Sequence, residues 1–269
     1  KELIDKKNPS ICEERSVAVN LNAYIDLFNK EIESGARLSI KKQRYRKGTI
    51  KNFKGFKVQF DEYQKSKRKR LDFHQITMDF YDDFVDFFTR KNYGPNTIGR
   101  HIKNLKTIMH FAQDEGLHQN TEINRKKFKI LKVPVENIYL NESELTAMYE
   151  LNLKENKVLE VARDVFLIGC YTAQRFSDYS CIRKENIQTY ESGQKVIRLV
   201  QEKTGEPVVI PIKPELEVLL KKYDWKVPKI WEQKLNLHIK TVAEKAKITE
   251  LVQVEKIKGG LIIKTDVPK

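Results

Sequence analysis

One short segment in the second half of the chain brings together residue types that can bind a phosphate. Gln174-Arg175-Phe176-Ser177-Asp178 follows a long apolar run, and an arginine at the end of an apolar element is costly unless it meets an anion. A phosphate would serve as that anion, because a guanidinium can clamp its oxygens in a bidentate manner. Asp178 is the alternative anion, because it could form an ion pair with Arg175 that caps the next helix. The spacing alone favours the two interpretations equally.

Lys203 is a second candidate, at the tip of a predicted β-hairpin. Lys195 to Val200 alternates in hydropathy as a strand does, Lys203-Thr204-Gly205-Glu206 has the composition of a turn, and Pro207 to Ile212 gives the return strand. On its own this lysine is ambiguous, since most turn lysines are exposed to solvent and inert.

A third group of candidates comes from a local excess of positive charge. The formal net charge is +14 over 269 residues. Residues 1–137 hold 29 basic and 18 acidic residues, and residues 37–70 alone hold 14 basic against two acidic. This concentration predicts steeply salt-dependent binding to nucleic acid phosphates. The residues expected to contact DNA are Lys41, Lys42, Arg44, Arg46, Lys47, Thr49, Lys51, Lys65, Lys67, Arg68, Lys69, Arg70, Arg100, Lys103 and Lys106.

Other interpretations of the charge are solvated helix faces and binding to an anionic membrane surface. A membrane-binding helix needs an exposed apolar face, whereas the aromatic face of Thr49 to Tyr63 is better used as bundle core. No apolar run approaches the roughly 20 residues of a membrane span, so we expect a soluble, cytoplasmic protein. The three cysteines have no Cys-x-x-Cys spacing. They support neither a disulfide framework nor a zinc site, and each is predicted to be a small core residue or a free thiol.

The candidate residues lie on two predicted domains. Residues 17–118 read as a helical bundle in which Thr49 is the N-cap of the second helix and Gly116 follows the fourth as a C-cap candidate. Residues 119–137 are polar and basic and are predicted as a linker. Residues 138–269 form a mixed domain around a buried helix, Leu159 to Tyr171, and the hairpin. The other predicted helices are Val17 to Ile32, Thr49 to Tyr63, Thr77 to Lys91, Thr97 to Glu115, a start at Asn141, Pro214 to Tyr223 and Trp231 to Lys247.

Taken in this order, the features resemble the tyrosine recombinases, the phage integrase family, and are particularly similar to integrases of Bacteroidetes mobile elements. The resemblance is carried by the basic bundle, by Gln174-Arg175-Phe176-Ser177-Asp178 and by the hairpin Gln201-Glu-Lys203-Thr-Gly-Glu-Pro-Val-Val-Ile-Pro211. It implies a mainly α fold: an N-terminal SAM-like, core-binding bundle and an α+β catalytic domain with a small antiparallel sheet, incomplete at its C-terminus. Residues 1–16 would be the remnant of an arm-type DNA-binding domain.

The resemblance also implies a reaction and the roles of three residues. A recombinase tyrosine attacks a DNA phosphodiester, giving a 3′-phosphotyrosine link and a free 5′-hydroxyl, and neither a metal nor another cofactor takes part. Arg175 would be the first catalytic arginine, Asp178 the acid that supports the pocket, and Lys203 the general acid for the departing 5′-oxygen. The partners implied are double-stranded DNA and, for the full-length protein, further copies in a tetramer on paired sites. Such a protein is bacterial and is associated with the nucleoid when bound.

The sequence departs from the family downstream of the hairpin. The family needs a His-x-x-Arg motif, a further His or Trp and the tyrosine there, whereas the last arginine is Arg198 and the last tyrosine is Tyr223. His238 is followed three residues later by Thr241, so it does not complete the motif. We therefore expect a C-terminally truncated integrase that binds DNA but does not cleave it.

Two alternatives to this expectation are a non-catalytic DNA-binding regulator derived from a recombinase and an unrelated RNA-binding protein. The sequence shows no RNP-like aromatic strand and no KH-type Gly-x-x-Gly in context, which disfavours the RNA-binding protein.

A milder departure from the recombinase family lies directly before Arg175, where Ala173 and Gln174 replace the usual glycine and leucine.

Overall fold

The computed structural model describes residues 20–269. The described residues fall into two compact units. The first unit contains the described residues up to Glu136 and, from the C-terminal part of the chain, Glu255–Thr265. The second unit contains Asn137–Val254 and Asp266–Lys269. The predicted arm-domain remnant, residues 1–16, and Cys12 lie outside the described residues. Among those that are described, no helix is long and apolar enough to cross a membrane.

The first unit is built on long amphipathic helices whose apolar stripes face one another. Their bounds are α1 Leu21–Ser34, α2 Lys47–Ser66, α3 Met78–Arg90 and α4 Pro95–Asp114, with single 3-10 turns at Phe73–Gln75 and Glu122–Asn124. The apolar stripes of these helices form one core, and half of its buried residues are aromatic, among them Phe28, Phe56, Phe60, Phe84 and Phe88. Large rings on every helix bury much apolar surface, which lets a unit of this size hold a stable core.

Local caps decide where these helices begin and end. Asn20 accepts a hydrogen bond from the Ala23 N–H at 3.0 Å, and Gly35 ends α1 in the left-handed region. Thr77 caps α3 as its side chain accepts from the Phe80 N–H. The prediction that Thr49 is an N-cap is wrong. α2 begins at Lys47 after Arg46, and the Thr49 N–H already bonds to the Arg46 carbonyl oxygen at 2.9 Å, which places Thr49 inside the first turn.

The segment predicted as a linker packs against the bundle over its first part. Ile123 and Phe128 are buried in the first core, and the Tyr81 hydroxyl donates to the Lys129 carbonyl oxygen at 2.9 Å. A Cβ at Gly99 would lie only 1.9 Å from the Leu131 carbonyl oxygen, so the chain crosses α4 where the absence of a side chain leaves room.

The second unit packs short helices around one long buried helix and a three-stranded sheet. The helices are α5 Glu142–Glu150, α6 Lys157–Thr172, α7 Phe176–Tyr179, α8 Pro214–Lys222 and α9 Glu232–Lys245, with a 3-10 turn at Lys184–Asn186. The strands β1 Ile187–Thr189, β2 Lys195–Val200 and β3 Pro207–Pro211 are antiparallel in the order β1-β2-β3. Ile197 of β2 stands opposite both Ile187 and Ile210 and joins the core.

A buried polar network fixes α6 against α8. Asp164 is fully buried and its carboxylate binds Arg163 at 2.7 Å, Lys222 at 2.6 Å and the Tyr223 hydroxyl at 2.7 Å. These contacts offset the cost of burying the Asp164 carboxylate, because an unpaired buried charge is costly.

The last strands were not predicted. β4 Leu251–Lys258 and β5 Leu261–Pro268 form a two-stranded hairpin. Gly259 and Gly260 both have positive φ, 58° and 78°, as the central residues of a type I′ turn require.

Candidate functional site

Arg175 lies at the junction of α6 and α7, where the chain turns sharply. Ala173 ends α6 in the left-handed region with φ 52°, and Arg175 then occupies the cap position of α7 in extended conformation. Its side chain makes no capping hydrogen bond, and its Nη1 lies 3.9 Å from Asp178 Oδ2. This is a loose ion pair, and 47% of the Arg175 side chain is exposed. The guanidinium therefore has donors available for an anion from solution.

Asp178 connects this junction to the turn of the β2–β3 hairpin. Its side chain is 1% exposed, and Oδ1 accepts a hydrogen bond from the Glu202 N–H at 2.8 Å. Oδ2 is buried without a hydrogen-bond partner in the described structure. A second connection joins the same two segments, because Gln201 Nε2 donates to Gln174 Oε1 at 2.7 Å.

The structure thus brings together the two motifs that the sequence separates by 27 residues. The residues on both sides of Arg175 are bonded to residues of the turn that carries Lys203, which is itself exposed. The exposed guanidinium of Arg175 and the exposed ammonium of Lys203 lie on segments that are bonded to each other, and both groups can bind the oxygens of a phosphate.

Two tyrosines of the second unit, Tyr223 and Tyr179, are held in structural contacts. The Tyr223 hydroxyl donates to Asp164, and burial together with that carboxylate raises its pKa. Burial raises the pKa of Tyr179, four residues after Arg175, to about 12. A phenol that resists ionisation and is held in a core is a poor nucleophile.

Most of the cations predicted to contact DNA are exposed on the first unit. Thirteen of the fifteen predicted residues are exposed, and Thr49 and Lys106 are partly buried. Lys106 Nζ donates to the Phe128 carbonyl oxygen at 3.0 Å and burial lowers its pKa, while Lys67 pairs with Asp83 at 2.5 Å. These two are committed to contacts within the unit.

The C-terminal end of α2 forms the rim of a polar groove of about 560 Å³. Lys57 lies in it, paired with Asp61 at 2.6 Å and with Asp26 at 3.4 Å. Four of the predicted cations line it without an ion pair among residues 20–269: Lys65, Arg68, Lys69 and Arg70. This end of the helix therefore offers cations that no acidic residue of the described part of the chain neutralises.

Arg37 was counted in the basic run, but it has a different role. It is buried, with Nε 2.6 Å from Glu31 Oε2 and Nη1 2.7 Å from Glu115 Oε1. Its guanidinium carbon also stacks over the Phe28 ring at 4.9 Å and the Phe111 ring at 5.0 Å. Glu31, an acid next to the apolar stripe of α1, is the sequence signal that could have revealed such a buried pair.

Comparison with known proteins assigns the fold. Residues 20–130 match the family described as the phage integrase SAM-like domain. The first unit contains a phage integrase SAM-like domain. No curated protein sequence matches the chain.

Solved structures similar to this chain include three recombinase complexes. One is a lambda integrase (75-356) dimer bound to a COC′ core site, with TM-score 0.60 and 14% identity over 86% of this chain and 83% of that chain. Another lambda integrase dimer on the same site gives TM-score 0.60 and 15% identity over 91% and 69%. XerH site-specific recombinase bound to its difH substrate, in a pre-cleavage complex, gives 0.56 and 16% over 93% and 75%. The predicted resemblance to tyrosine recombinases and the predicted fold class are confirmed.

Proposed function

We propose that this chain is the DNA-binding portion of a site-specific tyrosine recombinase that acts on a mobile element. The observation that carries the proposal is the pair of hydrogen bonds, Asp178 to Glu202 and Gln174 to Gln201, that joins the Arg175 junction to the Lys203 turn. In the reaction we infer, Arg175 binds non-bridging oxygens of the scissile phosphate, and Lys203 Nζ gives its proton to the departing 5′-oxygen. Asp178 holds the lysine turn in place.

The SAM-like domain supplies the affinity for DNA. The exposed cations of α2 and α4 that form no ion pair among residues 20–269 face the phosphates, and each neutralised phosphate releases counterions. The exposed acids of α3 at Asp79, Asp82 and Asp86 would be repelled by DNA, so α3 lies on the side away from it. In the cell the protein then works in the cytoplasm, bound to the nucleoid, and full-length copies assemble as tetramers on paired sites.

This sequence lacks the second arginine of the recombinase reaction and its tyrosine nucleophile. We propose that it binds duplex DNA without cleaving it. In a gel-shift titration we expect the dissociation constant to rise steeply with salt, and on a nicked suicide substrate we expect no covalent protein–DNA adduct. A covalent adduct formed by this chain would contradict the assignment, and tighter binding to structured RNA than to duplex DNA would contradict the proposed partner.

A non-catalytic regulator derived from a recombinase remains the second candidate, favoured by the same missing residues. The two differ in what the parent gene encodes after position 269. A reading frame that continues into His-x-x-Arg and a tyrosine supports the recombinase, and a stop codon supports the regulator.

A further inference from the structure

Two glutamines next to the proposed catalytic residues form a directed chain of hydrogen bonds. Thr204 Oγ1 donates to Gln201 Oε1 at 2.8 Å, Gln201 Nε2 donates to Gln174 Oε1 at 2.7 Å, and Gln174 Nε2 donates to the Thr172 carbonyl oxygen at 3.2 Å. Rotating either amide by half a turn would set oxygen against oxygen or nitrogen against nitrogen. The contacts therefore fix both amide orientations.

The chain of bonds reaches a solvent-exposed turn that is held by hydrogen bonds, among them one from the Gly205 N–H to the Gln201 carbonyl oxygen at 2.8 Å. Gln201 is the last residue tied across the hairpin, through its N–H to the Glu206 carbonyl oxygen at 2.9 Å, and residues 202–206 are exposed. Lys203 lies between Glu202, whose N–H is bonded to Asp178, and Thr204, whose hydroxyl is bonded to Gln201. With no apolar packing at the tip, hydrogen bonds are what restrain this turn.

The anchors connect the segments that carry the two cations. Asp178 and Gln174 stand on the two sides of Arg175 in the sequence, and they bond to Glu202 and Gln201, which both precede Lys203. Thr204, which follows Lys203, is bonded to Gln201. We propose that Gln174 and Gln201 are positioning residues that keep the Lys203 turn in a fixed place relative to Arg175. The role of Gln174 and Gln201 in catalysis rests on the proposed function, whereas their restraint of the Lys203 turn does not. A leucine at position 174 would leave the Gln201 amide without its acceptor.

Hydrogen exchange of the intact chain tests the restraint directly. In Gln174→Leu we expect the 201–206 segment to exchange about fivefold faster, the effect of losing one hydrogen bond of ordinary net strength. Gln201→Leu also removes the acceptor for Thr204, so its exchange should be at least as fast. The double variant should be no faster than Gln201→Leu alone, because both substitutions break the bond between Gln174 and Gln201. Gln174→Glu keeps an acceptor for Gln201 and loses the donor to the Thr172 carbonyl oxygen, so its exchange in the 201–206 segment should be slower than that of Gln174→Leu.

Controls separate a local effect from general loosening. Gln188 is an exposed glutamine of β1 in the same sheet, and Gln188→Leu should leave the 201–206 segment unchanged. Exchange in β2, residues 195–200, should be unchanged in every variant. If Gln174→Leu gives the same exchange in the 201–206 segment as Gln188→Leu, or if β2 loosens equally, the positioning role is overturned.

Amine labelling with and without duplex DNA connects the restraint to function. In the parent protein we expect DNA to shield Lys203 from acetylation, and in Gln174→Leu we expect that shielding to be lost while Lys103 of the SAM-like domain stays shielded. Retained shielding in Gln174→Leu contradicts the positioning role. No shielding of Lys203 in the parent protein contradicts the proposed function instead, and the exchange experiment still decides whether the glutamines restrain the turn.

Discussion

Arg37 and Lys41 belong to the same basic run, yet the structure gives them opposite environments. Arg37 is buried between Glu31 and Glu115 and under two aromatic rings, whereas Lys41 is exposed. The sequence predicts the number of cations in the run, because charge is a property of each residue. It does not predict which cation is buried, because the partner Glu115 is far away along the chain. The same reason kept the Gln174–Gln201 bond out of reach of sequence patterns.

We expect His101 to make the free energy of unfolding of the first unit depend on pH in the acidic range. The ring is buried and stacks on Phe88 at 5.4 Å, with Nδ1 unpaired in the described structure. Burial, with a smaller contribution from Arg100, lowers its pKa to about 4. The unfolded chain, with a histidine pKa of about 6.5, binds the proton first. The free energy of unfolding is therefore unaffected by His101 above pH ~6.5 and falls by up to ~1.4 kcal/mol per pH unit towards pH 4.

Urea unfolding between pH 7 and pH 4, followed by circular dichroism, measures this slope. His101→Leu removes the titrating group and keeps an apolar side chain in the core, so its stability should decline less steeply over the same window. Equal slopes for the two proteins would show that the buried imidazole does not contribute.

At the scale of elements, the amphipathic helices and the β2–β3 hairpin were predicted within a few residues, whereas β1, β4 and β5 were not predicted. The apolar stripe of α1 repeats over four turns, so local pattern determines its buried face. β1 has only three residues, too few for alternation to be visible. β4 and β5 are mostly exposed and carry no clear buried face. Thr49 was misassigned as a cap because the choice between Arg46 and Thr49 depends on backbone bonds that composition does not reveal.

The junction of α6 and α7 depends on a glycine. A Cβ at Gly169 would lie 2.7 Å from Cε1 and Cζ of the buried Tyr179 ring. Because Tyr179 belongs to the same helix as Asp178, we expect Gly169→Ala to displace α7. The expected cost is about 1–3 kcal/mol of unfolding free energy, as for other overpacked cores, together with faster hydrogen exchange at the Glu202 amide.

Gly55→Ala is the matched control for that substitution. Gly55 lies within α2, and a Cβ there meets nothing within 4 Å. Alanine should stabilise that helix by about 0.5–1 kcal/mol, because glycine loses more backbone freedom in a helix. Chemical denaturation of both variants distinguishes overpacking from helix propensity, and a stabilised Gly169→Ala protein would contradict the close contact.

At the scale of the whole molecule, the net charge of +14 is less informative than the pattern of paired and unpaired cations. Lys54 pairs with Glu33 at 2.6 Å and Lys57 pairs with Asp61, so part of the basic face of α2 is neutralised within the chain. Lys51, one turn before Lys54, is exposed and has no ion pair among residues 20–269. Binding driven by overall charge and binding through defined phosphate contacts therefore predict different effects for these two lysines.

Lys51→Ala and Lys54→Ala each lower the net charge by one, on the same helix. If defined contacts dominate, Lys51→Ala should reduce the slope of log K against log salt concentration by about 0.9, the value for one phosphate contact on duplex DNA. Lys54→Ala should change the slope much less, because its ammonium is already partnered by Glu33. Fluorescence anisotropy titrations on duplex DNA between 50 and 200 mM salt give both slopes. Equal changes would mean that the SAM-like domain acts on DNA only through its total charge, and the assignment of individual phosphate contacts would then fail.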